Sequence, residues 1–187
     1  MSRLIMWNLM SLDGAFEGAT KWDISWFDLV RGKEFERFSI EQLRSADRLL
    51  FGRVTYEGMA AYWPKASGED AEFMNSIPKF VFTHAASVTP WNNVTLVNED
   101  AIDVVRRLKQ QGNRNSFVFG SAKLSKSLIE HDLFDEYRLL LTPIILSDGK
   151  PLFGGLAGRR TLRLLEARTL SSGGVILRYE AVGHQGG

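Results

Sequence analysis

Arg48-Leu49-Leu50-Phe51-Gly52-Arg53-Val54-Thr55 is a short apolar run, then a glycine, then a segment able to turn into a helix. The same pattern returns at Ser116-Phe117-Val118-Phe119-Gly120-Ser121-Ala122-Lys123. Apolar runs of this length bounded by turn residues read as buried strands, and the glycine supplies a sharp exit. Helices are then expected over about 54–61 and 122–130, the second with Leu124 and Leu128 one turn apart.

Working outward, residues 4–9 are apolar and read as a central strand that ends in Asp13-Gly14, a turn pair. The connection from there to Gly32 is long and aromatic (Phe16, Trp22, Trp26, Phe27), so it is expected to be functional or to hold irregular helix. Ser39-x-x-Gln42 matches a capping box, with Ile40, Leu43 and Ala46 at helical spacing behind it. Strands are expected at 80–83 and 94–97. Asn98 then reads as an N-cap with Glu99 and Asp100 in the first turn, Ile102, Val105 and Leu108 as the apolar stripe, and Gly112 as the stop. A strand over 137–146 is interrupted at Pro143, which suggests an edge or a bulge. Finally, 161–169 and 175–182 are joined by Ser172-Gly173-Gly174, a hairpin signal. Strand–helix alternation followed by antiparallel strands makes the class α/β: a mostly parallel sheet, helices on its faces, an antiparallel edge.

The chain of 187 residues fits one domain, taken as 1–187, and 44% hydrophobic against 24% charged residues excludes disorder. Lys and Arg number 23 against 22 acids, a net charge of +1, which gives no footprint for nucleic acid. With no cysteine, disulfides, thiol catalysis and thiolate metal sites are excluded. His84, His131 and His184 are too scattered for a helical zinc pair, and no metal is expected. The apolar start is too short for a signal peptide and no run approaches a membrane span, so a cytoplasmic protein without a membrane partner is expected.

The common dinucleotide, phosphate-loop and hydrolase motifs are absent. What remains is the two glycine junctions. Each can set free backbone N–H groups at a helix N-terminus beside a hydroxyl (Thr55, Ser121) and a cation (Arg53, Lys123), a combination suited to phosphate. Glycine is also simply common in such turns. Asp13 follows the first strand where open α/β sheets place their ligand crevice, although spacing alone favours an Asx turn with Gly14. His84 follows the strand at 80–83 at the same kind of edge, or is a surface-loop histidine. Trp22, Trp26 and Phe27 either wall a flat heterocycle or belong to the core.

The ordered set Ser11-Leu12-Asp13-Gly14, Leu43-Arg44-x-Ala46-Asp47-x-Leu49-Leu50-x-Gly52-Arg53-x-Thr55, Gly120-Ser121, Leu133-Phe134-Asp135-Glu136, Thr142-Pro143-Ile144-Ile145-Leu146 and Gly149-Lys150-Pro151-Leu152-Phe153 resembles the dihydrofolate reductase-like superfamily. The similarity is greatest to the stand-alone reductase domain of the riboflavin-pathway deaminase–reductase, over about residues 3–182. The resemblance implies a three-layer fold with a central sheet of about eight strands, NADPH as cofactor and a homodimer. It also implies a hydride-transferring reductase acting on a pterin-, folate- or aminopyrimidine-like heterocycle. The alternative is a non-catalytic NADP(H)-binding or regulatory module that kept the cofactor site. Carried over residue by residue, Gly52, Arg53 and Thr55 match the first phosphate turn, with the arginine near the adenosine 2′-phosphate. Thr83 and His84 match the loop beside that phosphate. Gly120, Ser121, Ala122, Lys123 and Leu124 match the turn at the pyrophosphate, which in the family is often Gly-Gly. Asp13 matches the acid of the early substrate loop. The folate enzymes place a carboxylate five residues after a tryptophan. Counted from Trp22, that position is Phe27, and Asp28 one residue further is the nearest acid. Asp13 and Asp28 are therefore the candidate catalytic residues.

Overall fold

Alternation in the first strand separates two hydrophobic clusters: Leu4 and Met6 join one, Ile5 and Trp7 the other. A computed structural model describes residues 2–182, and His184 lies outside the described residues. In chain order the elements are β1 (Leu4–Ser11), β2 (Ala15–Glu17), a 3₁₀ turn (Ser25–Leu29), α1 (Lys33–Arg44), β3 (Ala46–Gly52) and α2 (Arg53–Tyr62). A second 3₁₀ turn (Trp63–Lys65), α3 (Glu69–Ser76), β4 (Lys79–Phe82), β5 (Val94–Val97), α4 (Ala101–Gln111) and β6 (Asn115–Phe119) follow. The chain closes with α5 (Ala122–Glu130), β7 (Glu136–Thr142), β8 (Lys150–Pro151), β9 (Leu162–Thr169) and β10 (Val175–Ala181).

The main sheet has eight strands in the order β5-β4-β3-β6-β1-β7-β10-β9. Neighbours from β5 to β7 run parallel, and β10 is antiparallel to both β7 and β9. One face packs Ile5, Leu49, Phe51 and Phe117 against Phe38 and Leu43 of α1, Tyr56 and Ala60 of α2 and Met74 of α3. The other packs Leu4, Met6, Leu50 and Val118 against Ile102, Val105 and Leu108 of α4 and Leu124 and Leu128 of α5. A one-residue slip of any central strand would exchange these sets. Burial of each such side chain is worth about 1.5–3 kcal/mol, so the register is firmly held. The three-layer α/β expectation and its antiparallel edge hairpin are what the molecule has.

Several local readings need correcting. Helix α1 starts at Lys33 behind Gly32, so Ser39 and Gln42 are not a capping box but buried interior positions. The Ser-x-x-Gln spacing arises by chance on a face turned to the core. The N-cap of α4 is Asp100 rather than Asn98, its carboxylate accepting the N–H of Ile102 at 2.9 Å and of Asp103 at 3.2 Å. Pro143 is no edge or bulge position: β7 ends at Thr142 between β1 and β10, and the proline begins the loop after it. Helix α3 and the small β2–β8 sheet were not expected at all. The long connection after Gly14 does hold irregular helix, the turn at Ser25–Leu29.

Candidate functional site

Because β1, β3, β4 and β6 are parallel, their C-terminal ends open onto one edge of the sheet. This edge gathers Asp13, Gly52-Arg53-Thr55, Thr83-His84 and Gly120–Leu124, residues spread over more than half the sequence. Strands β3 and β6 are neighbours, so the two glycine junctions lie side by side.

They are also joined. The Gly52 N–H donates to Ser121 Oγ at 3.0 Å, and the Ser121 N–H donates to Thr55 Oγ1 at 2.8 Å. Ser121 Oγ in turn donates to the Phe119 carbonyl at 2.9 Å, so this hydroxyl is a weld between the junctions rather than a free donor. Gly120 donates its N–H to Asn8 Oδ1 at 2.6 Å, across from β1. Both Gly120 (φ 50°) and Ser121 (φ 54°) are left-handed. A Cβ on Gly120 would sit 3.2 Å from Thr55 Oγ1, so the close approach of the two turns favours glycine there. The turn N–H groups are thus spent internally, but neither α2 nor α5 has a side-chain cap at its N-terminus. Their first-turn N–H groups and dipoles are what this edge offers an anion.

Arg53 and Lys123 are exposed, and neither has a side-chain hydrogen bond or ion pair among the described residues. His84 is exposed in the same way, and the Thr83 hydroxyl accepts the Ala85 N–H at 3.0 Å. Leu124 turns into the core and Ala122 begins α5.

Asp13 is exposed, yet its carboxylate is fully engaged. It accepts the Ser11 hydroxyl at 2.7 Å, the Leu146 N–H at 3.1 Å and the Ser147 N–H at 2.9 Å. These bonds, Ser11's first, hold its pKa down to about 2. At neutral pH it is an anion that clamps the loop after β7. Asp28 is solvent-facing and pairs with Arg31 at 2.9 Å, while Phe27 lies in the core, edge-on to Phe35.

The strap between β1 and α1 crosses this edge. Glu17 accepts both Lys150 and, at 2.5 Å, the Trp22 N–H. Trp22 (φ 67°) lies against Gly58 of α2, where an added Cβ would fall 1.9 Å from the ring. Trp26 and Phe27 are buried core residues, whereas Trp22 is only half-buried. Sequence reasoning missed Asn8, Glu17, Gly58 and Lys150, whose roles come from partners distant in sequence. Surface cavities of about 370 and 300 Å³ lie on α1 with Glu69 and beside β5 with α4, the second lined in part by Val97, Asn98 and Glu99 at the C-terminal end of β5.

The family described as the RibD C-terminal domain matches residues 3–176. The chain belongs to that family. It is similar to YyaP of Bacillus subtilis (strain 168), 30% identical over 182 residues that cover 95% of this chain and 94% of YyaP. In fold it is similar to the Thermotoga maritima diaminohydroxyphosphoribosylaminopyrimidine deaminase/5-amino-6-(5-phosphoribosylamino)uracil reductase, with TM-score 0.69 and 13% identity over 97% of this chain and 57% of that one. It is likewise similar to Enterococcus faecalis dihydrofolate reductase complexed with NADP(H), with TM-score 0.63 and 12% identity over 96% of each chain. The RibD C-terminal fold and the dihydrofolate reductase fold are thus one architecture, and this chain has it. Among the described residues no helix is long and apolar enough to cross a membrane.

Proposed function

We propose that the chain is an NADPH-dependent reductase acting on a small pterin-, folate- or aminopyrimidine-like heterocycle. One observation carries this reading: two uncapped helix N-termini stand side by side, each with a cation in its first turn, Arg53 and Lys123, that has no side-chain partner among the described residues. Such a pair suits a ligand with two anionic groups, and Gly120 lets the second turn approach it closely. Arg53 would hold the adenosine 2′-phosphate, flanked by Thr83 and His84. The first turn of α5, with Lys123, would hold the pyrophosphate. When bound, the nicotinamide supplies a hydride to a C=N or C=O bond of the acceptor.

The chain's own residues then orient and enclose. Asp13 fixes the loop after β7 against the early strap, and Trp22 packs against Gly58 of α2. With Asp13 held ionised and Asp28 paired at the surface, the proton that completes reduction comes from water. That same absence of a carboxylate at Phe27 favours the second reading, a module that binds NADP(H) without turnover.

The test is cofactor preference. A charge-assisted hydrogen bond is worth roughly 1.5–3 kcal/mol, or about ten- to a hundredfold. Wild type should prefer NADPH over NADH by that factor, and Arg53→Ala should erase it by weakening NADPH alone. Equal weakening of both cofactors would give Arg53 another task. NADPH binding without oxidation across dihydrofolate, aminopyrimidine and quinone acceptors would select the module.

A further inference from the structure

We propose that the acceptor is an uncharged, unphosphorylated heterocycle taken at the β1–β7 half of the sheet edge, an inference that rests on the reductase reading and narrows it. Strand register divides the edge into two levels. Pairing of β6 with β1 ends at Phe119 and Trp7, whereas β1 and β7 stay paired up to Ser11 and Thr142. The helix starts of α2 and α5 stand over the lower level. On the higher level are the loops after β1 and β7, the strap, and the tip of the β9–β10 hairpin, where Val30 of the strap lies against Gly174. A dinucleotide with its anionic groups on the lower level turns its reactive end towards the higher one, and the acceptor must meet it there.

The two levels treat an anion oppositely. Neither α2 nor α5 has an acid in its first turn. On the higher level the chain's own carboxylates hold the donors that a phosphate would need. Asp13 takes the Ser11 hydroxyl and the N–H groups of Leu146 and Ser147. Glu34 takes the Ser171 N–H at 2.8 Å and the Ser171 hydroxyl, at the hairpin tip. Glu17 takes the Trp22 N–H and Lys150, and Arg31 is paired with Asp28. Helix α1 starts beside this tip, but Glu34 and Glu36 in its first turn offset its dipole. Lys21 and Lys33 are exposed and have no ion pair among the described residues, yet residues 11–34 and 143–150 together have six acids and four bases. A phosphate there meets an excess of negative charge. The higher level instead presents apolar surface: Leu12 and Ile145 are 63 and 68% exposed, in loops joined from the Leu12 N–H to the Ile144 carbonyl at 2.8 Å.

Calorimetric titration of 6-hydroxymethylpterin and of its phosphate ester into the chain loaded with NADP+ tests this. The bare pterin should bind about tenfold more tightly, because several carboxylates repel the ester, and added salt should shrink the gap by screening. Glu34→Gln should narrow it with NADPH affinity unchanged. In turnover, 5-amino-6-(5-phosphoribosylamino)uracil should have a lower kcat/KM than its dephosphorylated form. Equal or tighter binding of the ester, or a gap indifferent to salt, would overturn the proposal. So would binding of neither pterin by a chain that binds NADPH. A chain that does not bind NADPH at all would refute the underlying reading, and this inference with it.

Discussion

Lys79 shows how a single residue can tie stability to pH. It is fully buried at the start of β4, and its Nζ donates to the Ile77 carbonyl at 2.7 Å and the Asn75 carbonyl at 3.3 Å, where α3 ends. It also lies 4.3 Å from the centre of the Trp91 ring. Carbonyl and ring dipoles soften the charge, but burial still pushes the ammonium's pKa down to about 8 from 10.5. The unfolded chain therefore binds more protons than the native one between these values, so stability rises with pH across that window. The penalty at neutral pH is about 3 kcal/mol, from about 1.4 kcal/mol per unit. Urea midpoints should climb from pH 8 to 10, and Lys79→Met should flatten the climb. The window closes there because the buried Tyr137 hydroxyl, pushed up to about 12, makes stability fall once pH exceeds 10. A wild-type midpoint that is level from pH 8 to 10 would contradict the assignment.

At the scale of elements, the strap and α2 depend on one missing side chain. Alanine at Gly58 would improve the helix by about 1 kcal/mol in propensity, yet its Cβ occupies the place of the Trp22 ring. Gly58→Ala should keep α2 and release the strap. Trypsin should then cut after the exposed Lys21 several-fold faster than in wild type, with the far-UV spectrum unchanged. Equal cleavage would mean that the Trp22–Gly58 contact does not hold the strap. This scale is also where the sequence was most uneven as a guide. Strands with period-two burial and the hairpin at Gly173-Gly174 were legible because their signals are local. Helix α3 was not, although Glu69, Asp70 and Glu72 in its first turn were a usable sign. Ser39 and Gln42 misled because a short motif carries no information about which face of a helix it occupies.

For the molecule as a whole, strand order was the least legible feature, since it rests on pairings such as Leu4 with Ser116 that lie far apart in the chain. The candidate site was half legible: its glycine junctions stand out by composition, but the bonds joining them do not. A ligand that binds only the folded state should raise stability by about 2.7 kcal/mol at a hundredfold excess over Kd. NADPH at millimolar concentration should therefore raise the melting temperature measurably, and an unmoved transition would refute the cofactor assignment.

The bonds that run from Gly52 to Ser121 and from Ser121 to Thr55 have a metrical consequence. Neither turn can shift without dragging the other, so the span between the α2 and α5 N-termini is a fixed gauge. A ligand bearing one anionic group engages one end of it. A ligand whose two groups match the span engages both, and its second contact forms at the high effective concentration that the first provides. If the edge takes the proposed dinucleotide, it would measure length as well as charge, and the serine at position 121 is the pin that keeps the two turns in step.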